Sequence, residues 1–400
     1  MHVKHLLLAT LLTVGLSLHA TNGLLQIGYG AKSKAMGGVG VALPQDAFAS
    51  ALNPAGMSLL GDRFDVGLHW LHQHAKFSTT GGLHPQAGCS GQNLWWPEVG
   101  FNRLVCRNQS VGAAVFVGGE WETYYKNLTP DADSPVPTLS HFQFVSITPS
   151  WSWQINTCHS LGIAVNAVVA KLRVDGPQIT NSVAPAFTTD RGNDYQWGIG
   201  ARFGWLGQFS HCVQVGATYQ TRTYLSHFRK YRGLIPEGGD ADLPAQFGVG
   251  VAWQLFRGVV VSADAVKIFW REGRLFRNDY DEDSGPFGSR SGPALGWDEQ
   301  MVFKGGLSWD VLECLTLRIG YNHGNCPIPR GNLLDVQSAD TVQDHATIGF
   351  TWEWRCHQVS FVYLHAFTNT IKGFEPLDRG SFLILKGRQD SVGIEYGYLF

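Results

Sequence analysis

Apolar and polar residues alternate with a period of two along most of this chain, in segments separated by clusters of Gly, Pro, Asp and Ser. Phe247, Val249, Val251 and Trp253 oppose Gln246, Gly248, Gly250, Ala252 and Gln254; Trp197, Ile199, Ala201, Phe203 and Trp205 oppose Gln196, Gly198, Gly200, Arg202 and Gly204. Successive side chains of a strand point to opposite faces, so each such segment reads as a strand with one apolar face and one polar or glycine face. About fourteen segments qualify. They span 64–77, 93–105, 109–122, 139–155, 159–174, 194–209, 212–227, 243–255, 258–271, 296–310, 314–325, 343–355, 357–370 and 385–400. A soluble β-sandwich would alternate in the same way; the connections discriminate. Cys106–Asn108, Asn156–Cys158, Ser210–His211, Phe256–Arg257, Val311–Glu313 and the turn at Cys356 are tight. Between them lie long stretches: Ser78–Gln92, Thr123–Pro137, Asp175–Asn193, Ser226–Asp242, Arg271–Leu295, His323–Gln343 and Ile371–Leu385. Short periplasmic turns alternating with long outer loops, an even strand number and both chain ends on the short-turn side predict an all-β transmembrane barrel of antiparallel strands.

Both ends of the chain bear on this reading. Met1, Lys4 and His5 precede an apolar run, Leu6–Leu18, that ends at the small residue Ala20, the layout of a secretory signal peptide over residues 1–20. That run is too short for a transmembrane helix, which needs about 20 apolar residues. At the other end Val392, Ile394, Tyr396, Tyr398 and Phe400 share one face, opposite Ser391, Gly393, Glu395, Gly397 and Leu399. A terminal Phe behind aromatics at alternate positions resembles the signal by which outer-membrane barrels are recognised for assembly. Mean hydropathy is −0.07, as expected when lipid-facing and lumen-facing residues average out. Charged residues make up 16%, against a usual figure of about 25%. With a net charge of −2 nothing suggests a nucleic-acid partner. The expected location is a bacterial outer membrane, with its lipid as the solvent of the barrel wall.

The first strand starts near Phe64, which leaves residues 21–62 as a separate segment ahead of a barrel over 63–400. It is rich in small residues: Gly28-Tyr29-Gly30, then Ala35-Met36-Gly37-Gly38-Val39-Gly40. Pro44–Leu52 is a short helix candidate, with Pro in its first turn and a stop at Asn53-Pro54, since a residue before proline leaves the α region. Small residues suit a plug packed inside a barrel lumen; a mobile periplasmic arm is the alternative.

Thr21-Asn22-Gly23, Gly28-Tyr29-Gly30, Ala35-Met36-Gly37-Gly38, Pro44-Gln45-Asp46-Ala47 and Asn53-Pro54-Ala55-Gly56 together resemble the FadL/TodX family of outer-membrane transporters, the OmpP1-like proteins. Leu243–Gly250, Trp297–Gln300, Arg318–Asn322 and Pro327–Pro329 extend the likeness toward Phe400. The resemblance implies a fourteen-stranded monomeric barrel plugged by an N-terminal hatch, with Asn53, Pro54 and Ala55 as the hatch motif. It implies passive uptake of hydrophobic small molecules, such as long-chain fatty acids or detergents, or in one branch aromatic hydrocarbons. It also implies sideways release through a gap in the wall made by an inward kink of the third strand. There Gly118 and Gly119 are the kink candidates, because paired glycines weaken a strand and often mark a bulge. Lateral release suits apolar cargo, since crossing water costs about 0.8 kcal/mol per exposed CH2.

Three neighbouring strands carry charge on the inferred lumen face: Asp264, Lys304 and Arg318. Two cations beside one anion leave a positive patch. Lys304 and Arg318 are headgroup candidates, with Arg318 able to pair a carboxylate bidentately, and Asp264 belongs to the lumen network. The competing reading is a self-satisfied network that braces the wall. His69, His72 and His74 lack a partnering ligand pattern, so interfacial packing beside Trp70 is expected rather than metal binding. No cofactor is implied. Gly288–Gly292 has Arg290 where the nucleophile of a G-x-S-x-G turn would stand, so nothing calls for an enzyme. Five of seven cysteines, Cys106, Cys158, Cys212, Cys314 and Cys356, fall at expected periplasmic turns, where an oxidising compartment allows disulfide cross-links to other envelope proteins. A general porin and a cross-linked structural envelope protein are the readings from other classes; the plug-like residues 21–62 speak against the first.

Overall fold

The computed structural model describes residues 22–400 except 81–86, 127–136, 281–282, 330–340 and 375–381. The expected signal peptide, Met1–Ala20, lies outside the described residues, as do parts of five of the expected outer loops. Fourteen long strands form the wall: β1 (Arg63–Thr80), β2 (Ala87–Cys106), β3 (Gln109–Tyr125), β4 (Thr138–Gln154), β5 (His159–Asp175), β6 (Asp194–Ser210), β7 (Val213–Gln220), β8 (Ala245–Phe256), β9 (Val259–Phe269), β10 (Gln300–Leu312), β11 (Leu315–Gly324), β12 (Asp344–Trp354), β13 (His357–Phe374) and β14 (Phe382–Leu399). Each pairs antiparallel with its sequence neighbours, and β14 returns to β1 from Arg63↔Leu399 to Thr80↔Phe382, closing the sheet into a barrel. Closure gives every wall strand two partners over at least part of its length, as a bilayer-spanning sheet requires.

The face pattern follows the alternation in the sequence. On β14 Ser391, Gly393, Glu395 and Gly397 point inward and are buried, whereas Ile394 and Tyr396 stand exposed on the outer wall. Exposed Trp151, Trp153, Phe209, Trp253, Trp309 and Trp354 form an aromatic belt just above the short turns, where amphipathic rings meet the membrane–water interface. Departures from the expected spans lie at the outer end. β1–β2 and β13–β14 run further out than expected. The strand expected over 212–227 stops at Gln220; beyond it Thr223 bridges to Leu243 and Tyr224–Leu225 pairs with β6. The strands expected to reach 271 and to start at 296 are cut to Phe269 and Gln300, because Trp270 and Trp297 turn inward into a buried aromatic cluster with Phe276.

The segment before β1 folds inside the barrel. It contains a helical turn α1 (Ala31–Ala35), a second, α2 (Ala49–Leu52), and a 3-10 stretch over Pro54–Leu59. The helix expected over Pro44–Leu52 forms only in its last four residues, because the Asp46 carboxylate takes the Phe48 amide (3.1 Å) and holds the preceding chain as a turn. Asn53 pins this segment to the wall. Its Nδ2 donates to the Val41 carbonyl at 2.7 Å and to the Trp205 carbonyl of β6 at 3.0 Å, while its Oδ1 accepts from the Ala55 amide. The wall makes room with glycine: a Cβ on Gly204 would stand 2.0 Å from Asn53 Oδ1, and one on Gly162 would stand 2.3 Å from the backbone of Pro54 and Ala55.

Candidate functional site

The inward charges of the wall meet the backbone of the N-terminal segment. Asp264 Oδ2 accepts the amides of Gly40 (2.8 Å) and Val41 (3.0 Å), and Lys304 Nζ donates to the carbonyls of Ile27 (2.7 Å) and Gly38 (3.2 Å). Arg318 donates to Gln45 Oε1 and, at 2.6 Å, to Thr351 Oγ1. Elsewhere in the lumen Glu98 takes the Gly30 amide, Lys34 Nζ at 3.4 Å and His69 Nε2 at 2.5 Å, while Asp65 holds Arg63 bidentately at 2.7 Å on each arm and accepts the Ala47 amide. Glu395 accepts the Ala31 amide. In the N-terminal segment itself burial lowers Lys32 and Lys34 and, with the Asp65 carboxylate nearby, pushes Asp46 up to about 6. Such charges, buried yet hydrogen-bonded, fix the position of what they hold, because an orphaned partner is costly in a low dielectric.

A narrow cavity lies between this segment and the far wall. Leu25, Ile27 and Tyr29 line one side, and Val266, Ile268, Val302, Lys304 and Arg202 the other. Asp264 and Lys304, but not Arg318, are therefore cavity residues. A second, smaller cavity shares Leu25, Tyr29, Ala51, Arg202 and Gln246 with the first and is bounded toward β3 by Phe116 and Phe144. Arg202 stands at the junction of the two. It bonds the Leu52 carbonyl (3.2 Å) and Gln220, its Nε has no partner, and no carboxylate among the described residues pairs with it. The sequence offered one signal for it, a lone basic residue on the glycine face of β6.

Beside the second cavity the wall is open. β2 and β3 pair only from Cys106↔Gln109 to Glu98↔Phe116; beyond, β2 pairs only with β1 and β3 only with β4. At this point the β3–β4 register jumps between Val117 and Gly119, so Gly118 is an extra, unpaired residue, and Phe116–Trp121 are all buried where a regular wall strand would alternate. A Cβ on Gly118 would meet the Phe144 ring at 2.1 Å, so only glycine fits the bend. The freed edge of β3 takes its partners from the N-terminal segment: the Glu120 amide donates to the Leu24 carbonyl (3.1 Å), Gln26 Nε2 to the Val117 carbonyl (2.5 Å) and the Tyr29 hydroxyl to the Gly118 carbonyl (3.0 Å). Contacts that span the unpaired seam include Trp96 Nε1 to Glu120 Oε2 at 2.8 Å and the Tyr124 amide to Ser90 Oγ at 2.9 Å. Glu120, Glu122 and His141 gather beside it with ligand-type atoms within 4.8 Å of one another, and Lys171 Nζ, 3.3 Å from His141 Nδ1, supplies countercharge. The alternating pattern could have grouped them.

The histidine run divides as the strand period requires. His69 faces the lumen on Glu98, whereas His72 faces outward, stacked near Trp70 and bonded to Asn93.

The wall is thus a closed barrel that encloses its N-terminal segment and two cavities, one of them beside the break in β2–β3 pairing. The chain belongs to the outer membrane protein transport protein family (OMPP1/FadL/TodX), whose family model matches residues 25–375. It is thus an outer-membrane transporter of hydrophobic compounds in a Gram-negative bacterium, from a family of transport channels rather than enzymes. Similar solved structures include the P. putida toluene transporter TodX (18% identity, TM-score 0.69, covering 94% of this chain and 99% of that one). A Pseudomonas aeruginosa FadL homologue (14%, 0.71, 94% and 99%) and the Ralstonia pickettii toluene transporter TbuX (19%, 0.66, 94% and 99%) share the fold. No curated protein matches the chain.

Proposed function

We propose that this protein is a monomeric channel for passive uptake of long-chain fatty acids, with residues 21–62 as its hatch and the β2–β3 seam as a lateral exit into the membrane. The observation that carries the reading is Arg202, a buried guanidinium without a carboxylate partner at the junction of two cavities that lead to the seam. A neutral aromatic hydrocarbon could offer a buried cation only the face of its ring, whereas a fatty carboxylate would complete its pairing with charge-assisted hydrogen bonds. Lys304, in the same cavity, is engaged by hatch carbonyls and would add long-range attraction; Arg318, held by Gln45 and Thr351, would brace the hatch instead. Cargo leaving by the seam must displace Leu24–Tyr29 from the edge of β3, so hatch movement and release are one step. Gly118 and Gly119 would keep that edge bent inward.

The test compares binding of a fatty acid with that of the alcohol of equal chain length. The native protein should prefer the acid by at least tenfold, the scale of a charge-assisted hydrogen bond. Arg202→Gln should bring the two to near equality while leaving alcohol binding unchanged. Equal binding of acid and alcohol by the native protein, with tight binding of toluene, would favour the aromatic-hydrocarbon reading.

A further inference from the structure

Transport leaves the cysteines unused. Cys106, Cys158, Cys212 and Cys356 are exposed and Cys314 half-buried, and each sits at a short turn: β2–β3, β4–β5, β6–β7, β12–β13 and β10–β11 respectively. Of the six short turns only that between β8 and β9, Arg257-Gly258, has no cysteine. Within the barrel these thiols have no reachable mate among themselves. Adjacent short turns are two strands apart, about 10 Å at the spacing of paired strands, whereas a disulfide needs Cα atoms within about 7 Å. Cys89, at the start of β2, and Cys326, just beyond β11, lie at the opposite, outer end. A second copy lying alongside is no better placed. The belt of Trp151, Trp153, Phe209, Trp253, Trp309 and Trp354 stands proud immediately above the turns, and side chains meeting between two walls hold the backbones about 10 Å apart. What remains is a partner that approaches from below the belt.

We infer that the periplasmic rim is a covalent docking ring, whose thiols form mixed disulfides with a cysteine-bearing protein on the periplasmic side of the outer membrane. The chemistry is thiol–disulfide exchange. A rim thiolate attacks one sulfur of an exposed disulfide on the partner, that S–S bond breaks, its other sulfur leaves as a thiolate, and a new S–S bond joins rim and partner. One disulfide is consumed and one formed, so no further oxidant enters. Thiols spread around the whole circumference let a partner engage whichever turn faces it, and more than one partner attach to a single barrel. None of the five lies on the cavity or the seam, so tethering leaves the transport path untouched.

The test uses outer membranes of the native host, with free thiols blocked by N-ethylmaleimide at lysis. Without reductant the chain should run well above the position of the single chain, returning there on reduction, and mass spectrometry of the adduct should find a peptide of another envelope protein joined at a rim cysteine. Replacing Cys106, Cys158, Cys212, Cys314 and Cys356 by Ser should abolish the adduct; Cys89→Ser with Cys326→Ser should leave it. Identical mobility with and without reductant overturns the inference. So do adducts made of this chain alone, or adducts that survive the five-serine variant. Fatty-acid uptake by the five-serine variant should equal that of the native chain, so this result and the transport reading fail separately.

Discussion

Asn53→Ala should release the hatch while leaving the barrel folded. Asn53 is 1% exposed and makes three hydrogen bonds, two to carbonyls of Val41 and Trp205 and one from the Ala55 amide that caps the 3-10 stretch. At about 1–1.5 kcal/mol for each bond lost in a buried site, the substitution costs about 3–4 kcal/mol of docking. That is a shift of at least 100-fold in the docked-to-undocked ratio. The wall ladders do not involve this side chain, so heat-modifiable gel mobility, the usual sign of an intact barrel, should be unchanged. Proteolysis of residues 22–62 in the folded barrel reads the undocked population when reclosing outpaces cleavage, and its rate should rise by the same factor. A second variant makes the argument sharper. Gly204→Ala drives a Cβ to 2.0 Å from Asn53 Oδ1 and should itself loosen the hatch, but much of that clash disappears once Asn53 is Ala. The two substitutions should therefore be sub-additive by at least 1 kcal/mol in a double-mutant cycle. Native-like cleavage of Asn53→Ala, or strict additivity with Gly204→Ala, would refute the anchoring role.

Other outcomes follow from the lumen contacts. Asp264→Ala leaves the Gly40 and Val41 amides without their acceptor and should raise hatch proteolysis about tenfold or more. Asp264→Asn keeps one acceptor oxygen and should fall between the two. The Asp46 carboxyl, pushed up to about 6 from an unfolded value of 3.8, binds its proton more tightly in the docked state. Its contribution is therefore fully present below about pH 4 and lost as pH rises through 6, so docking should weaken by about 2–3 kcal/mol across that window. Asp46→Asn should flatten this dependence, measured as hatch proteolysis from pH 4 to 7.

Much of the wall was legible in the sequence because its constraint is local. Alternation and turn length mark each of the fourteen strands, and the same period separates inward His69 from outward His72. The paired glycines also marked the residues where the register breaks. What was not legible is whatever depends on partners far along the chain. Asp264 and Lys304 could be assigned to the lumen face, yet their partners, Gly40, Val41, Ile27 and Gly38, lie more than two hundred residues away and are backbone groups with no side-chain signature. Gly162 and Gly204 read as ordinary inward glycines until the Asn53-Pro54-Ala55 backbone is seen against them. Arg202 reads from the sequence only as another inward cation with unplaced neighbours, because a charge becomes notable only when its surroundings show that no carboxylate answers it. The outer ends of β9 and β10 were overextended because Trp270 and Trp297 satisfy a strand pattern as well as they satisfy a buried cluster.

Lateral release depends on the opening between β2 and β3, and deleting Gly118 probes that opening. Without that extra residue Val117↔Val145 and Gly119↔Phe144 become consecutive pairs of a regular ladder, and β3 can straighten against β2 without any added side chain. Uptake of a labelled long-chain fatty acid should then fall to the level of cells lacking the protein, while the variant reaches the outer membrane, keeps heat-modifiable mobility and still binds the acid in preference to the alcohol. Undiminished uptake by a folded variant whose β2–β3 pairing has closed would contradict lateral release and the transport path built on it.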